Sequence, residues 1–254
     1  MHVFEFDSVP FPATAGFITA LEIGVSDPLI GCCRFDLQRF DDALSETLAL
    51  PFPPRLNQAV KKRRAEYLAS RFLAREVMQR LGHYQFILGN APDRSPCWPD
   101  GIAASLSHSE GIAVLAATPQ PLCLGIDVER IMKAETAEET ADILMTRAEK
   151  QRLLALPLCF ADAATLLFSL KESLYKALWP LLHQPMDFQQ AALVEVDLLS
   201  QRARLSLTHR FGDAFPAGTL LEARFQYQQD QVLTLVTHDV NGNKKPARKN
   251  NLSR

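Results

Sequence analysis

Leu122-Cys123-Leu124-Gly125-Ile126-Asp127-Val128-Glu129 is an apolar run that ends in two carboxylates. Successive side chains of a strand point to opposite faces. Read as a strand, the stretch puts Leu122, Leu124, Ile126 and Val128 on one face, fit for a core. Cys123, Gly125, Asp127 and Glu129 share the other. A small residue followed by two acids leaves room for a cation with something bulky beside it. The same pattern also describes a strand running out into solvent, and alone that is the better reading. A second acidic motif downstream, Phe168-Ser169-Leu170-Lys171-Glu172-Ser173-Leu174-Tyr175-Lys176, tips the balance toward a site.

Upstream of the first motif, two short strands are expected over 102–107 and 112–117. Ser107-His108-Ser109-Glu110-Gly111 forms a hairpin-like turn between them. His108, flanked by two small hydroxyl residues, is suited to a phosphate as well as to plain exposure. Residues 57–81 read as a helix without proline or glycine, capped by Gly82. That helix carries seven lysines and arginines against two glutamates. Most of these belong to a solvated face. Arg71 differs because it adjoins the apolar stripe of Leu68, Phe72, Leu73 and Val77, and an Arg drawn toward a core calls for an anionic partner. Residues 1–56 are proline-rich coil with short strands, one near 31–35, in which Phe4, Phe6, Phe11, Phe17 and Phe35 pack.

Downstream, Glu135, Glu138, Glu139 and Asp142 mark an acidic loop leading into a helix. Thr146-Arg147-Ala148-Glu149 has the form of a capping box. A second helix is expected over 162–179, with Asp162 as its N-cap and Pro180 as its stop. Ser169, Glu172 and Lys176 share one of its faces. Four strand-like runs follow between 191 and 236. The fold expected is α+β, a pseudo-twofold pair of lobes, each a small antiparallel sheet packed with a long helix. The lobes are 1–120 and 121–240, with a disordered basic tail over 241–254.

The bulk numbers suit this. The chain has 254 residues, 47% hydrophobic and 22% charged, with a net charge of −2. A chain this long buries about 70–75% of its unfolded surface and needs no staples. The near-neutral charge argues against nucleic acid as a partner. The five cysteines show no zinc spacing, and reduced thiols in a cytoplasm are expected. No basic leader and no span of about 18–20 apolar residues is seen, so neither secretion nor a membrane span is expected.

Asp127, Glu129 and Glu172 together offer hard oxygen donors without His or Cys, which favours Mg²⁺, with Mn²⁺ possible. Lys176, Arg71 and His108 are cations or donors for the rest of a phosphorylated ligand. The chemistry indicated is metal-assisted phosphoryl transfer. No Walker loop, G-x-G-x-x-G or G-x-S-x-G is present.

Gly125-Ile126-Asp127-Val128-Glu129, followed about forty residues on by Phe168-Ser169-Leu170-Lys171-Glu172-Ser173-Leu174-Tyr175-Lys176, resembles the 4′-phosphopantetheinyl transferases of the long single-chain class, nearest the enterobactin synthase component D type. Ser105-Leu106-Ser107-His108-Ser109, Pro96-Cys97-Trp98-Pro99 and the arginine-bearing helix up to Arg71 add to the likeness. The resemblance implies coenzyme A and Mg²⁺ in a cleft between two halves, with phosphopantetheine passing to a serine of an apo acyl or peptidyl carrier protein. By the same motifs, Asp127, Glu129 and Glu172 are metal ligands. Lys176 is a CoA phosphate contact and proton carrier; Arg71 and His108, with Ser107 beside them, face the 3′-phosphate. Glu172 or Glu149 takes the serine proton, although the capping box competes for Glu149. A basic helix is expected to steer an acidic carrier, and the chain to be a monomer. Two rival readings are a Mg²⁺-dependent nucleotide pyrophosphate phosphohydrolase and a non-catalytic scaffold.

Overall fold

The computed structural model describes residues 3–239. The tail expected over 241–254 lies outside the described residues. In chain order the first half holds β1 (Asp7–Ser8), β2 (Ile18–Ile23), β3 (Leu29–Phe35), the single turn α1 (Leu44–Thr47) and α2 (Lys61–Arg80). The short pair β4 (Gly89–Asn90) and β5 (Pro96–Cys97) follows, then β6 (Ala103–Ser109) and β7 (Ile112–Thr118). The second half holds β8 (Leu122–Arg130), α3 (Ala134–Leu144), α4 (Arg147–Leu154) and α5 (Phe160–Leu182). It closes with β9 (Ala191–Asp197), β10 (Arg202–Leu207), β11 (Leu220–Gln228) and β12 (Gln231–Asp239).

The architecture is α+β, as expected. One five-stranded sheet has the order β1-β2-β3-β7-β6 and the other β8-β12-β11-β10-β9. All pairings in both are antiparallel. α2 covers the first sheet. Its Leu68, Phe72, Leu73 and Val77 are fully buried with Ala113, Leu115 and Ala117 of β7. Burial of each such large side chain is worth about 1.5–3 kcal/mol. α5 covers the second sheet through Leu166, Leu167, Leu170 and Leu174. The alternate residues of both sheets meet in a third core. There Ile30, Cys32, Val114 and Ala116 pack with Leu124, Ile126, Val128 and Leu235. The apolar face of the 122–129 strand therefore rests on the other half of the molecule. Phe4, Phe17 and Phe35 are buried, and Phe6 and Phe11 lie against cores.

Several boundaries differ from those read in the sequence. α2 begins at Lys61, since Pro53 and Pro54 set a separate 3-10 turn over Pro54–Leu56 and Val60 is extended. It ends as expected, with Gly82 at φ +88° and the His83 amide bonded back to the Met78 carbonyl. β6 continues through Ser109, so Ser107 and His108 sit in a strand and the turn itself is only Glu110-Gly111. The acidic stretch after Glu129 is helical, as α3. α5 starts at Phe160 with Cys159 as its N-cap, and Asp162 lies in its first turn. Pro180 falls inside the helix, which runs on to Leu182. A proline this close to the end removes one backbone bond and leaves less than a turn to disturb.

Candidate active site

β6 and β8 run side by side where the two sheets meet, bridged by side chains. The Ile126 amide donates to Ser105 Oγ at 3.0 Å, and Ser107 Oγ donates to Asp127 Oδ1 at 2.8 Å. β6 thus supplies hydroxyls on alternate residues, and β8 supplies the acid. Asp127 is 1% exposed. Its other oxygen accepts from Ser169 Oγ of α5 at 2.8 Å. Behind Ser169, Thr234 of β12 lies opposite Asp127 in the ladder and links Ser169 Oγ (2.8 Å) to Ser173 Oγ (2.7 Å). Ser169 was legible on the Glu172 face of the helix; Thr234 carried no sequence signal.

Lys176 reaches across to this acid. Its Nζ lies 2.6 Å from Asp127 Oδ1 and 2.9 Å from Ser107 Oγ. The i, i+4 spacing would equally have allowed a pair with Glu172. Glu129 and Glu172 flank Asp127, each half-buried. Burial, followed by the charge of Asp127, pushes the Glu129 carboxyl up to about 7. Burial likewise raises Glu172, with Asp127 adding and Lys176 opposing. Among the described residues, no three acid, His or Cys side chains are drawn into a coordination shell as they stand. The donor set nevertheless suits a hard cation. It is all oxygen, its members repel one another, and a lysine ammonium already sits as a stand-in cation against the most buried of them.

Gly125 corrects one expectation. A bulky ligand was to account for it, but α5 does. A Cβ there would lie 1.9 Å from the Ser173 carbonyl oxygen and 2.6 Å from the Ala177 nitrogen. The glycine lets the helix lie directly on β8, and that approach brings Lys176 and Ser169 to Asp127.

The capping box that competes for Glu149 is present in the fold: Glu149 Oε2 accepts from the Thr146 amide at 2.9 Å and from Thr146 Oγ1 at 3.0 Å. Its Oε1 accepts from the Leu193 amide at 2.9 Å and lies 2.9 Å from Lys171 Nζ. A carboxylate offers about four lone-pair sites, and all are used. Glu149 is a buried acid, and Lys171, bonded also to the Leu144 carbonyl at 2.9 Å, is its partner.

A basic cavity of about 440 Å³ is lined by Arg55, Arg63, Tyr67, Arg71, Arg94 and His108. Arg71 and His108, singled out separately in the sequence, are brought together here. Arg71 is 7% exposed, with its guanidinium 4.0 Å over the Tyr67 ring. Burial lowers its pKa, and Arg55 and Arg63 press in the same direction. Burial first, then the charges of Arg63, Lys176 and Arg71, hold His108 at about 4. The imidazole is therefore neutral at pH 7, and Arg63 Nη1 lies 3.0 Å from its Nε2. Glu66 also faces it, 3.7 Å from Nδ1. Arg63 was hidden in the run of four charges, and Arg55 in the proline-rich segment. Elsewhere on the basic helix, Arg64 is held by Asp42. Arg94, Pro96 and Leu106 also line an adjoining cleft of about 500 Å³, which adds Trp98, Tyr175 and Trp179.

Comparison with known proteins agrees with the motifs. Residues 52–118 match the 4′-phosphopantetheinyl transferase N-terminal domain, and residues 123–236 match the 4′-phosphopantetheinyl transferase superfamily. Enterobactin synthase component D of Shigella flexneri is 32% identical over 207 residues, covering 81% of this chain and 91% of the relative. That of Salmonella typhi is 34% identical over 203 residues, covering 80% and 83%. The 4′-phosphopantetheinyl transferase Svp of Streptomyces mobaraensis is 33% identical over 174 residues, covering 65% and 70%. The chain belongs to the 4′-phosphopantetheinyl transferase superfamily and is an enzyme that transfers phosphopantetheine to carrier proteins.

Proposed function

We propose that the enzyme moves 4′-phosphopantetheine from coenzyme A to a serine of an apo carrier protein in a Mg²⁺-dependent reaction. The carriers would be those of a siderophore-type peptide synthetase. The observation that carries this reading is the adjacency of two unlike sites. A cluster of three mutually repelling carboxylates sits near a cavity lined by arginines, and His108 on the cavity wall feels the charges of both Lys176 and Asp127. The cluster suits a divalent ion, and the cavity suits the 3′-phosphate end of CoA. A bound Mg²⁺ would neutralise the pyrophosphate and favour in-line attack on it.

The chain's own residues divide the remaining work. Asp127, Glu129 and Glu172 would hold the ion. Lys176, freed from Asp127, would neutralise phosphate oxygens. The serine oxygen bonds to phosphorus, the bond to adenosine 3′,5′-bisphosphate breaks, and Glu172 takes the serine proton. Binding the ion would favour the charged form of Glu172, the form that can accept a proton. The arginine cavity retains the charged leaving group.

The siderophore assignment rests on the similarity to enterobactin synthase component D. Each half covers the other's apolar sheet face within one chain, which supports a monomer. The free cysteines are compatible with a cytoplasmic location. Mass spectrometry of a panel of apo carriers incubated with CoA and Mg²⁺ tests the proposal. Addition of phosphopantetheine to a peptidyl carrier is expected. Hydrolysis of CoA with no carrier modified would sink it and favour a phosphohydrolase.

A further inference from the structure

Asn90, on β4, lies at the wall of the arginine-lined cavity. Its Oδ1 accepts from two guanidiniums at once, Arg55 Nη2 at 2.6 Å and Arg71 Nη2 at 2.6 Å. Its Nδ2 donates to the Arg94 carbonyl at 2.7 Å and reaches the Ser95 carbonyl at 3.5 Å. Three separate parts of the chain converge on this amide: the 3-10 turn Pro54–Leu56, α2, and the turn that carries Arg94. Arg71 is fixed further by Nη1 bonding Ser70 Oγ at 3.1 Å and by the Tyr67 ring.

Two like charges held side by side repel. A carboxylate is the usual partner of paired arginines, since it offers charge-assisted bonds to both. Here an amide supplies a similar oxygen without the charge, so both guanidiniums keep their attraction for an anion. The repulsion between them is met during folding, before any ligand arrives, which leaves the pair preorganised.

We propose that Asn90 is the positioning residue of this pocket: it orders Arg55 and Arg71 into one dianion-binding pair without neutralising them, and so sets the preference for the 3′-phosphorylated form of the substrate. This rests on the assignment of the cavity to the 3′-phosphate end of CoA.

The test is steady-state kinetics of the wild type, Asn90→Asp and Asn90→Ala with CoA and with dephospho-CoA, alongside thermal melts. The wild type is expected to favour CoA. Asn90→Asp keeps the shape and the arginine contacts and cancels a charge; it also loses the Nδ2 donor to the Arg94 carbonyl, and the melts read that local cost separately. It should raise KM for CoA about tenfold while leaving kcat, and KM for dephospho-CoA, within about twofold. Asn90→Ala, which frees the arginines without cancelling charge, should raise KM for CoA by less. If Asn90→Asp weakens both substrates equally, or neither, Asn90 is only a structural residue and the proposal falls. If the wild type itself does not distinguish the two substrates, the assignment of the cavity falls first and takes the proposal with it.

Discussion

α5 makes two lysine–carboxylate contacts five residues apart, and they differ in kind. Lys171 and Glu149 are 2.9 Å apart, with side chains 2% and 3% exposed, and every remaining lone pair of the acid is bonded. Lys176 and Asp127 are 2.6 Å apart, but the lysine is 26% exposed and two further acids press on the pair. The first contact is saturated and shut, and it joins α4, α5 and β9. The second is unbalanced and open on one side. The two pairs differ in saturation more than in distance.

The comparison breaks most sharply at Asp127. Asp127→Asn should cut carrier modification about a thousandfold, about 4 kcal/mol of barrier, while the urea midpoint stays near wild type. Retained turnover would mean that Asp127 only holds Lys176 in place. The reciprocal change is Lys171→Met. It leaves Glu149 charged, buried and unpaired, so urea denaturation should show a loss of about 3–5 kcal/mol, with turnover per folded molecule unchanged. Adding Glu149→Gln should recover part of that loss. Intact stability with lost turnover would instead assign Glu149 to the chemistry.

Gly125→Ala asks whether the approach of α5 to β8 underlies the open site. Overpacking against the Ser173 carbonyl should cost about 1–3 kcal/mol on thermal or urea unfolding. A neutral result would return Gly125 to a ligand-clearing role. The smallest effect concerns pH. The folded protein raises the pKa of Glu129 to about 7, so the neutral form is favoured. Its contribution to stability is present below the ordinary glutamate range and is lost as pH rises toward 7. A divalent ion needs the charged form, so Mn²⁺ affinity measured calorimetrically should climb by up to about tenfold per pH unit below 7 and then level. Glu129→Gln should flatten that profile.

Much of the site was legible because its residues are tied to short-range periodicity. Alternation placed Asp127 and Glu129 on one face of β8, and the helical repeat placed Ser169 with Glu172 and Lys176. The capping box at Thr146 was equally local, and it correctly competed for Glu149. What was not legible needed partners far along the chain. Arg55, Arg63 and Asn90 come from a turn, a run of surface-like charges and a two-residue strand. Nothing in their own neighbourhoods marks them as one cavity. The choice of Lys176 for Asp127 over Glu172 is also a distance decided by the packing of α5 on β8.

The sequence by itself determined the α+β class, the long helices, the metal-type acid motif and the family resemblance, because each is written in spacings of a few residues. The tertiary structure alone decided which of the acids are satisfied. That depends on the Leu193 amide, the Leu144 carbonyl and the close approach at Gly125, contacts between residues remote in the chain that no local pattern encodes.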